Sequence, residues 1–314
     1  MNRRELRVVN DGIELHGTLF VPAGEGPHPA ILAVHGASEG TRTARLQRHL
    51  QALLPAHGIA VLAFDRRGDG ASVVPQDGRA ISFEDKASDA RAWIDLLLEQ
   101  PEVDAERVGI WGHSQGGWIG PMAAVERERV VLLALVAPCA VTPGEQMQFG
   151  YGYQIRQAGF SEDEARRGVE LRRLVDAYWR GDGVTEAEAI AAIDAASGEP
   201  WFDIAPPVDP RRSAGGWRIE VDIDITPTIA RLRPMPILLV FGDHDRWVPT
   251  RESEARWRAS VPAGADLTVE TIPGTTHFPT PDHEGEGPIA PRYEELLAGW
   301  LRNRFGLDRA DGRP

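Results

Sequence analysis

Apolar residues recur with two different periods through the first 141 positions of the chain. "ELRVVND" and "IELHGTLFVP" are short, partly alternating runs on either side of Asp11-Gly12, a turn pair, and predict an opening antiparallel pair of strands. "PAILAVHG" and "IAVLAFD" are unbroken apolar runs ending at Gly or Asp, as strands buried on both faces do. Between them, "TARLQRHLQALLPAHG" carries leucines at helical spacing and closes at Gly58, so the three segments predict one βαβ unit. "SFEDKASDARAWIDLLLEQP" opens on Ser82, places acids in its first turn and stops at Pro101, the marks of a helix. "RVGIWGHS" then reads as a strand, "QGGWIGPMAAVERE" as a helix and "VVLLALVAP" as another buried strand.

The alternation stops at residue 142. From there to residue 233 the chain is richer in charge, with two amphipathic helical patterns ("SEDEARRGVELRRLVDAYWRG" and "TEAEAIAAIDAAS") and the proline cluster "IAPPVDP". The next run of central-strand type is "MPILLVFGDHD"; after it come a helix in "TRESEARWRAS", a strand in "DLTVETIPG" and a final helix from about Ile289 to Phe305. Strands that alternate with helices predict an α/β fold, a mostly parallel central sheet with helices on both faces. Residues 1–141 and 234–305 form its two parts, residues 142–233 a helical cap insertion, and residues 306–314 a frayed tail.

A chain of 314 residues is long enough for one large α/β domain with an insertion, or for two modest domains. Apolar content of 42% and charged content of 26% are ordinary for a globular enzyme, and no stretch is apolar for long enough to span a membrane. "MNRRELRVVNDG" has basic residues with no apolar region behind them, so it reads as a first strand and the expected location is the cytoplasm. A single cysteine, Cys139, excludes an intrachain disulfide and a cysteine metal cage, and its setting in "LVAPCAV" predicts a small buried apolar residue. The net charge of −13 comes with no basic run, so a nucleic-acid partner would lack its electrostatic footprint. Small neutral or weakly charged substrates fit that balance.

The chemistry concentrates where the strand "RVGIW" runs into Gly112-His113-Ser114-Gln115-Gly116, a G-x-S-x-G pattern with a helical segment directly behind it. A serine hydroxyl is inert at neutral pH without a base beside it. Two readings are open, a nucleophile lifted into a cleft by a strained strand-to-helix turn, or a polar residue in a tight turn. The placement favours the first, because glycines on both sides remove the β-carbons that would clash where strand and helix approach. The amide of Gln115 then sits at a helix N-terminus and can face an oxyanion.

At this point the chain resembles the α/β-hydrolase superfamily, over nearly all of its length except the insertion. In that family the acid and the histidine follow the serine in chain order, in loops after a late strand and after the last one. "FGDHDRWVP" resembles the family's acid loop, in which Asp245 fills the acid position, fixed in register by Val248-Pro249, with Asp243 a near rival. "IPGTTHFP" resembles the histidine loop, and implies His277 as the base. His113, His244 and His283 are set aside as solvated or structural. The second oxyanion donor in this family comes from the loop after an early strand, here His35-Gly36-Ala37-Ser38, which implies the Ala37 N–H beside that of Gln115. "FDRRGDGAS" resembles a further family turn, D-x-R-G-x-G-x-S, with a supporting role.

The resemblance implies ester cleavage through an acyl-enzyme on Ser114, nearest to the carboxylesterase and peptidase-like esterase branches, with a small-molecule ester as substrate. Dehalogenases and epoxide hydrolases of this fold place an aspartate at the elbow, which Ser114 argues against. An acyltransferase or cyclase, or an amide-cleaving peptidase, would use the same residues, and a non-catalytic binding protein is the third class. No cofactor is required, and no His-x-x-x-His or paired carboxylates on a helix suggest a metal site. Tyr151, Tyr153, Tyr178, Trp179, Trp201 and Trp217 of the insertion either line an acyl pocket or pack the insertion together.

Overall fold

The computed structural model describes residues 2–74, 80–204, 206–211 and 215–308. Eight strands, β1 (Asn2–Asn10), β2 (Ile13–Val21), β3 (His28–Val34), β4 (Ala60–Phe64), β5 (Val103–His113), β6 (Val130–Val136), β7 (Pro236–Gly242) and β8 (Asp266–Ile272), make one sheet. Their order is β1-β2-β4-β3-β5-β6-β7-β8, with β1, β2 and β4 joined antiparallel and every pair from β4–β3 onward parallel. The first hairpin turns through Asp11 and Gly12, both with left-handed φ (50° and 76°), as a two-residue turn matched to strand twist requires.

Alternate residues of the central strands feed two cores. Ala30, Leu32 and Val34 of β3 face α2 (Phe83–Leu98) and α3 (Gly116–Ala124), with Trp93, Ile94 and Trp118 in the same cluster. Ile31 and Ala33 face the other way, toward Leu50 and Leu54 of α1 (Arg45–Ala56) and Tyr293, Leu297 and Leu301 of the last helix, Pro291–Arg304. The unbroken apolar runs thus have their reason, since both faces of the parallel strands are covered. The helix expected from Ser82 is α2, with Ser82 and Asp85 closing a capping box, an arrangement typically worth about 1 kcal/mol. Cys139 is fully buried, and burial pushes its thiol up to about 12.

Between β6 and β7 the described residues hold helices only: α4 (Pro143–Gln157), α5 (Glu162–Arg180), α6 (Glu186–Ala196), a single 3₁₀ turn (Phe202–Ile204), α7 (Gly215–Glu220) and α8 (Thr226–Ala230). α5 and α6 are the two helices read from the sequence. α4 was not anticipated, because Gly144, Gly150 and Gly152 dilute its helical pattern. A β-carbon on Gly150 would lie 2.7 Å from the Trp247 ring and one on Gly144 3.0 Å from the Val221 carbonyl, so close packing explains those glycines. Tyr151, Ile155, Val175, Trp179 and Trp201 form a separate small core for this segment, whereas Ile225, Ile229 and Leu232 at its end pack into the core beneath the sheet. After β7 the chain continues through α9 (Thr250–Ser260), β8 and α10, the Pro291–Arg304 helix named above. Of the tail expected to fray, residues 309–314 lie outside the described residues. No helix among the described residues is long and apolar enough to cross a membrane.

Candidate active site

β5 ends at His113, and Ser114 follows with φ of 51°, a left-handed conformation that costs an ordinary side chain about 1–2 kcal/mol. The turn is held from both sides. Ser114 N–H donates to the Val136 carbonyl at 2.9 Å, and Gly117 N–H donates to the Ser114 carbonyl at 2.7 Å. The glycines are sterically required. A β-carbon on Gly112 would meet the Gly116 carbonyl oxygen at 2.6 Å, one on Gly116 the Val34 carbonyl oxygen at 3.0 Å, and one on Gly117 the Pro138 Cα at 2.8 Å.

The structure brings Ser114, His277 and Asp245 together, all buried. Ser114 Oγ is 2.8 Å from His277 Nε2, and His277 Nδ1 is 2.9 and 3.2 Å from the two Asp245 oxygens. A carboxylate only accepts, so Nδ1 carries the ring proton and Nε2 of the neutral ring is left to accept from the serine hydroxyl. Burial pushes the Asp245 carboxyl up, but the His277 ring and the N–H groups of Trp247 (2.7 Å) and Val248 (3.0 Å) outweigh it and hold the carboxyl below its usual range. Asp243, the rival, is exposed and accepts from Gly274 N–H at 2.8 Å, where it pins the turn that leads to His277. Gly242 lets the two loops meet, since a β-carbon there would fall 2.1 Å from the Thr276 carbonyl oxygen.

Ala37 and Gln115 line the same cavity as Ser114 and His277, and among the described residues neither of their amides donates a backbone hydrogen bond. Gln115 is the residue before the first turn of α3, at the positive end of its dipole. Arg66 steadies the other loop, with Nη1 donating to the Gly36 carbonyl at 2.9 Å and the Ala37 carbonyl at 3.1 Å. The D-x-R-G-x-G-x-S turn therefore supports the site from behind. Its Asp65 carboxylate accepts from the amides of Arg42 and Ala71, and its buried Arg67 grips Asp89 through two nitrogens.

His113 contacts the His277 backbone and ring and not the serine hydroxyl. Its Nε2–H donates to the His277 carbonyl at 3.0 Å, and its ring packs on His277 and Phe278 with centroids 5.1 Å away in both cases. Burial, followed by the neighbouring His277, pushes it down to about 3. His35 is similarly neutral, driven down to about 4 by burial, with Nε2–H donating to the Phe64 carbonyl. His244 is exposed and His283 partly buried, away from the hydroxyl contacts.

The cavity holds about 410 Å³ and is walled by Phe83, Trp118, Trp217, Trp247 and Phe278, with Gln146 and Glu220 as polar interruptions. Of the six aromatic residues of the insertion considered as pocket candidates, Trp217 alone lines it among the described residues. Tyr151, Trp179 and Trp201 belong to the insertion's own core, Tyr178 packs against that core, and Tyr153 stacks on Phe149. Trp118 and Trp247 were not singled out from the sequence, although each lies within four residues of Ser114 or Asp245. Among the described residues no group of three or more His, Cys, Asp or Glu side chains could hold a metal.

A family model described as "Alpha/beta hydrolase family" matches residues 31–286. Among curated relatives, thiohydrolase apmlB of Arthrinium phaeospermum is 27% identical over 271 residues, 79% of this chain and 81% of that one. Esterase EstD of Thermotoga maritima is 24% identical over 302 residues, covering 91% of this chain and 65% of the relative. A protein of Mycobacterium tuberculosis described as uncharacterized is 35% identical over 123 residues, 39% of this chain, and the match spans 41% of that relative's length. A similar match to an Escherichia coli protein spans 50% of its length. The fold is also that of the alpha/beta hydrolase GrgF from Penicillium (TM-score 0.64, 20% identity, covering 98% of this chain and 100% of that one). Est1E from Butyrivibrio proteoclasticus is similar in the same way, with a TM-score of 0.59, 20% identity and coverage of 97% and 98%.

Proposed function

The chain belongs to the alpha/beta hydrolase family, and on that premise we propose that it is a serine hydrolase that cleaves carboxylic esters through an acyl-enzyme. The observation that carries this reading is the hydrogen-bonded line Ser114–His277–Asp245, with 2.8 and 2.9 Å links, at the wall of a largely apolar cavity. His277 Nε2 takes the Ser114 proton as Oγ attacks the carbonyl carbon, and returns it to the departing alcohol oxygen. Asp245 keeps the ring tautomer and stabilises the imidazolium that forms. The amides of Ala37 and Gln115 receive the oxyanion, and removing one such donor typically costs on the order of 100- to 1,000-fold in rate. Water, activated by the same histidine, then releases the acid. Helices α4 to α7 act as a cap that supplies Pro143, Gln146, Met147, Trp217 and Glu220 to the cavity wall.

Turnover of p-nitrophenyl acyl esters by the native chain and by Ser114→Ala tests the reading. The expected result is turnover that falls by several orders of magnitude in the variant; turnover that survives the substitution would refute it. Thioesters are a second reading, favoured by the relative named a thiohydrolase, and are tested by giving both proteins the matching acyl thioesters. Turnover that requires an added alcohol or amine would mark a transferase instead.

A further inference from the structure

Glu220 is the only acidic side chain on the cavity wall among the described residues, and nothing in the acyl-enzyme chemistry uses it. It ends α7, three residues after Trp217, which places both on one face of that helix. Neither is loosely held. The Trp217 indole N–H donates to Asp176 at 3.1 Å and the Arg172 guanidinium lies 4.7 Å over the ring, while the Gly144 N–H donates to the Val221 carbonyl at 2.8 Å and fastens the end of α7 to α4. Glu220 Oε1 accepts from Lys86 Nζ at 3.2 Å, reaching from α2 of the body, and that ammonium also lies 5.1 Å over the Phe83 ring. Burial pushes the carboxyl above its usual range, and Lys86 offsets only part of that rise.

Two consequences follow from this pairing. The place where a substrate cation would sit, between a carboxylate and an aromatic face, is already taken by Lys86, so an ammonium on the substrate would meet a like charge. The second carboxylate oxygen, Oε2, has no hydrogen-bond donor among the described residues, so it remains an acceptor on a side chain of a cavity wall that is largely apolar apart from Gln146 and the triad end. An apolar group filling the cavity would strip water from that oxygen and leave it unpaired, whereas an uncharged donor would satisfy it.

We propose that Glu220, neutralised by Lys86, selects esters that carry a hydroxyl group several carbons from the scissile carbonyl. This rests on the hydrolase reading. The hydroxyl donates to Glu220 Oε2 while the carbons between lie against Phe83, Trp118 and Trp217, and no bond is made or broken at Glu220.

The test measures kcat/KM on matched pairs, p-nitrophenyl hexanoate against its ω-hydroxy counterpart and hexyl acetate against its ω-hydroxy counterpart, for the native chain, Glu220→Gln and Glu220→Leu. Each ratio is internal to one protein preparation and does not depend on how much of a variant folds. The native chain is expected to prefer the hydroxylated member of at least one pair by about 10- to 100-fold, the range of a hydrogen bond to a charged acceptor. Glu220→Gln should reduce the preference and Glu220→Leu should abolish or invert it. A native chain that turns over the plain esters with no hydroxyl preference, or whose preference survives in Glu220→Leu, overturns this proposal and leaves the hydrolase reading standing. A stronger preference for the ω-amino ester overturns it also, in favour of a cation site. No turnover of any ester by the folded native chain overturns both.

Discussion

Replacing Arg66 by methionine tests how the loop proposed to receive the oxyanion is aimed. The carbonyl of Gly36 and the N–H of Ala37 belong to one planar trans peptide and point in opposite directions. Arg66 Nη1 holds that carbonyl at 2.9 Å and the next one at 3.1 Å, while its Nε donates to Asp69 at 2.8 Å. The guanidinium therefore fixes one side of the peptide, and the Ala37 N–H must leave by the other. Methionine keeps most of the stem and removes every one of these donors. Complete loss of an oxyanion donor sets the upper bound, about 2.7–4 kcal/mol. The Arg66 side chain is 16% exposed, so water partly replaces it at the carbonyls and the loss falls short of that bound. We expect about 1.4–2.7 kcal/mol of lost transition-state stabilisation, a 10- to 100-fold fall in kcat, with KM changed by less than about threefold. Steady-state kinetics on a p-nitrophenyl ester measures both, and circular dichroism reports whether the variant is folded. A folded Arg66→Met with kcat within about twofold of native, or with the whole loss in KM, would refute this account of the loop.

Three further outcomes are expected. Asp245→Asn should lower kcat by roughly 10⁴-fold by leaving His277 in the wrong tautomer, whereas Asp243→Asn should lower it by less than about tenfold because Asp243 only pins Gly274; the same assay on both variants ranks them, and the reverse order would reassign the acid. Gly242→Ala should destabilise the fold by several kcal/mol in urea denaturation and abolish turnover, because its β-carbon would fall 2.1 Å from a backbone oxygen that cannot yield; near-native stability would contradict the loop packing. Stability should also fall below neutral pH. His113 and His35 are held near 3 and 4 against an ordinary 6.5, so the unfolded chain binds protons there that the folded one refuses, and their stabilisation is complete above about pH 6.5 and is lost as pH falls. At about pH 4.5 each accounts for a loss of about 2–3 kcal/mol, from 1.36 kcal/mol per pH unit, and urea midpoints that do not drop between pH 7 and 4.5 would contradict it.

The parallel sheet was legible because burial on both faces writes itself as unbroken apolar runs. Helix α5 was legible because its N-cap, acids and closing glycine all agree. α4 was not, since its glycines answer to Trp247 and Val221, residues about 70 to 100 positions away, and local propensity carries no trace of such contacts. The same limit applies to the site. Ser114 and the glycines around it are consecutive, so their geometry can be reasoned from a short stretch. Asp243 and Asp245 are two residues apart with the same side chain, and only the fold shows one carboxylate against the His277 ring and the other against Gly274. Among the described residues five Phe and Trp side chains line the cavity, and the sequence pattern points only to Trp217 of them, because lining a cavity and packing a core call for the same residue types.

Ser114, activated by His277, is the proposed nucleophile. Intact-mass and peptide mapping of the chain after exposure to a fluorophosphonate tests it most directly. One adduct per chain is expected, located on Ser114, absent from Ser114→Ala and formed at a rate reduced by orders of magnitude in His277→Ala. A folded native chain that stays unlabelled, or that is labelled at another residue, would contradict it.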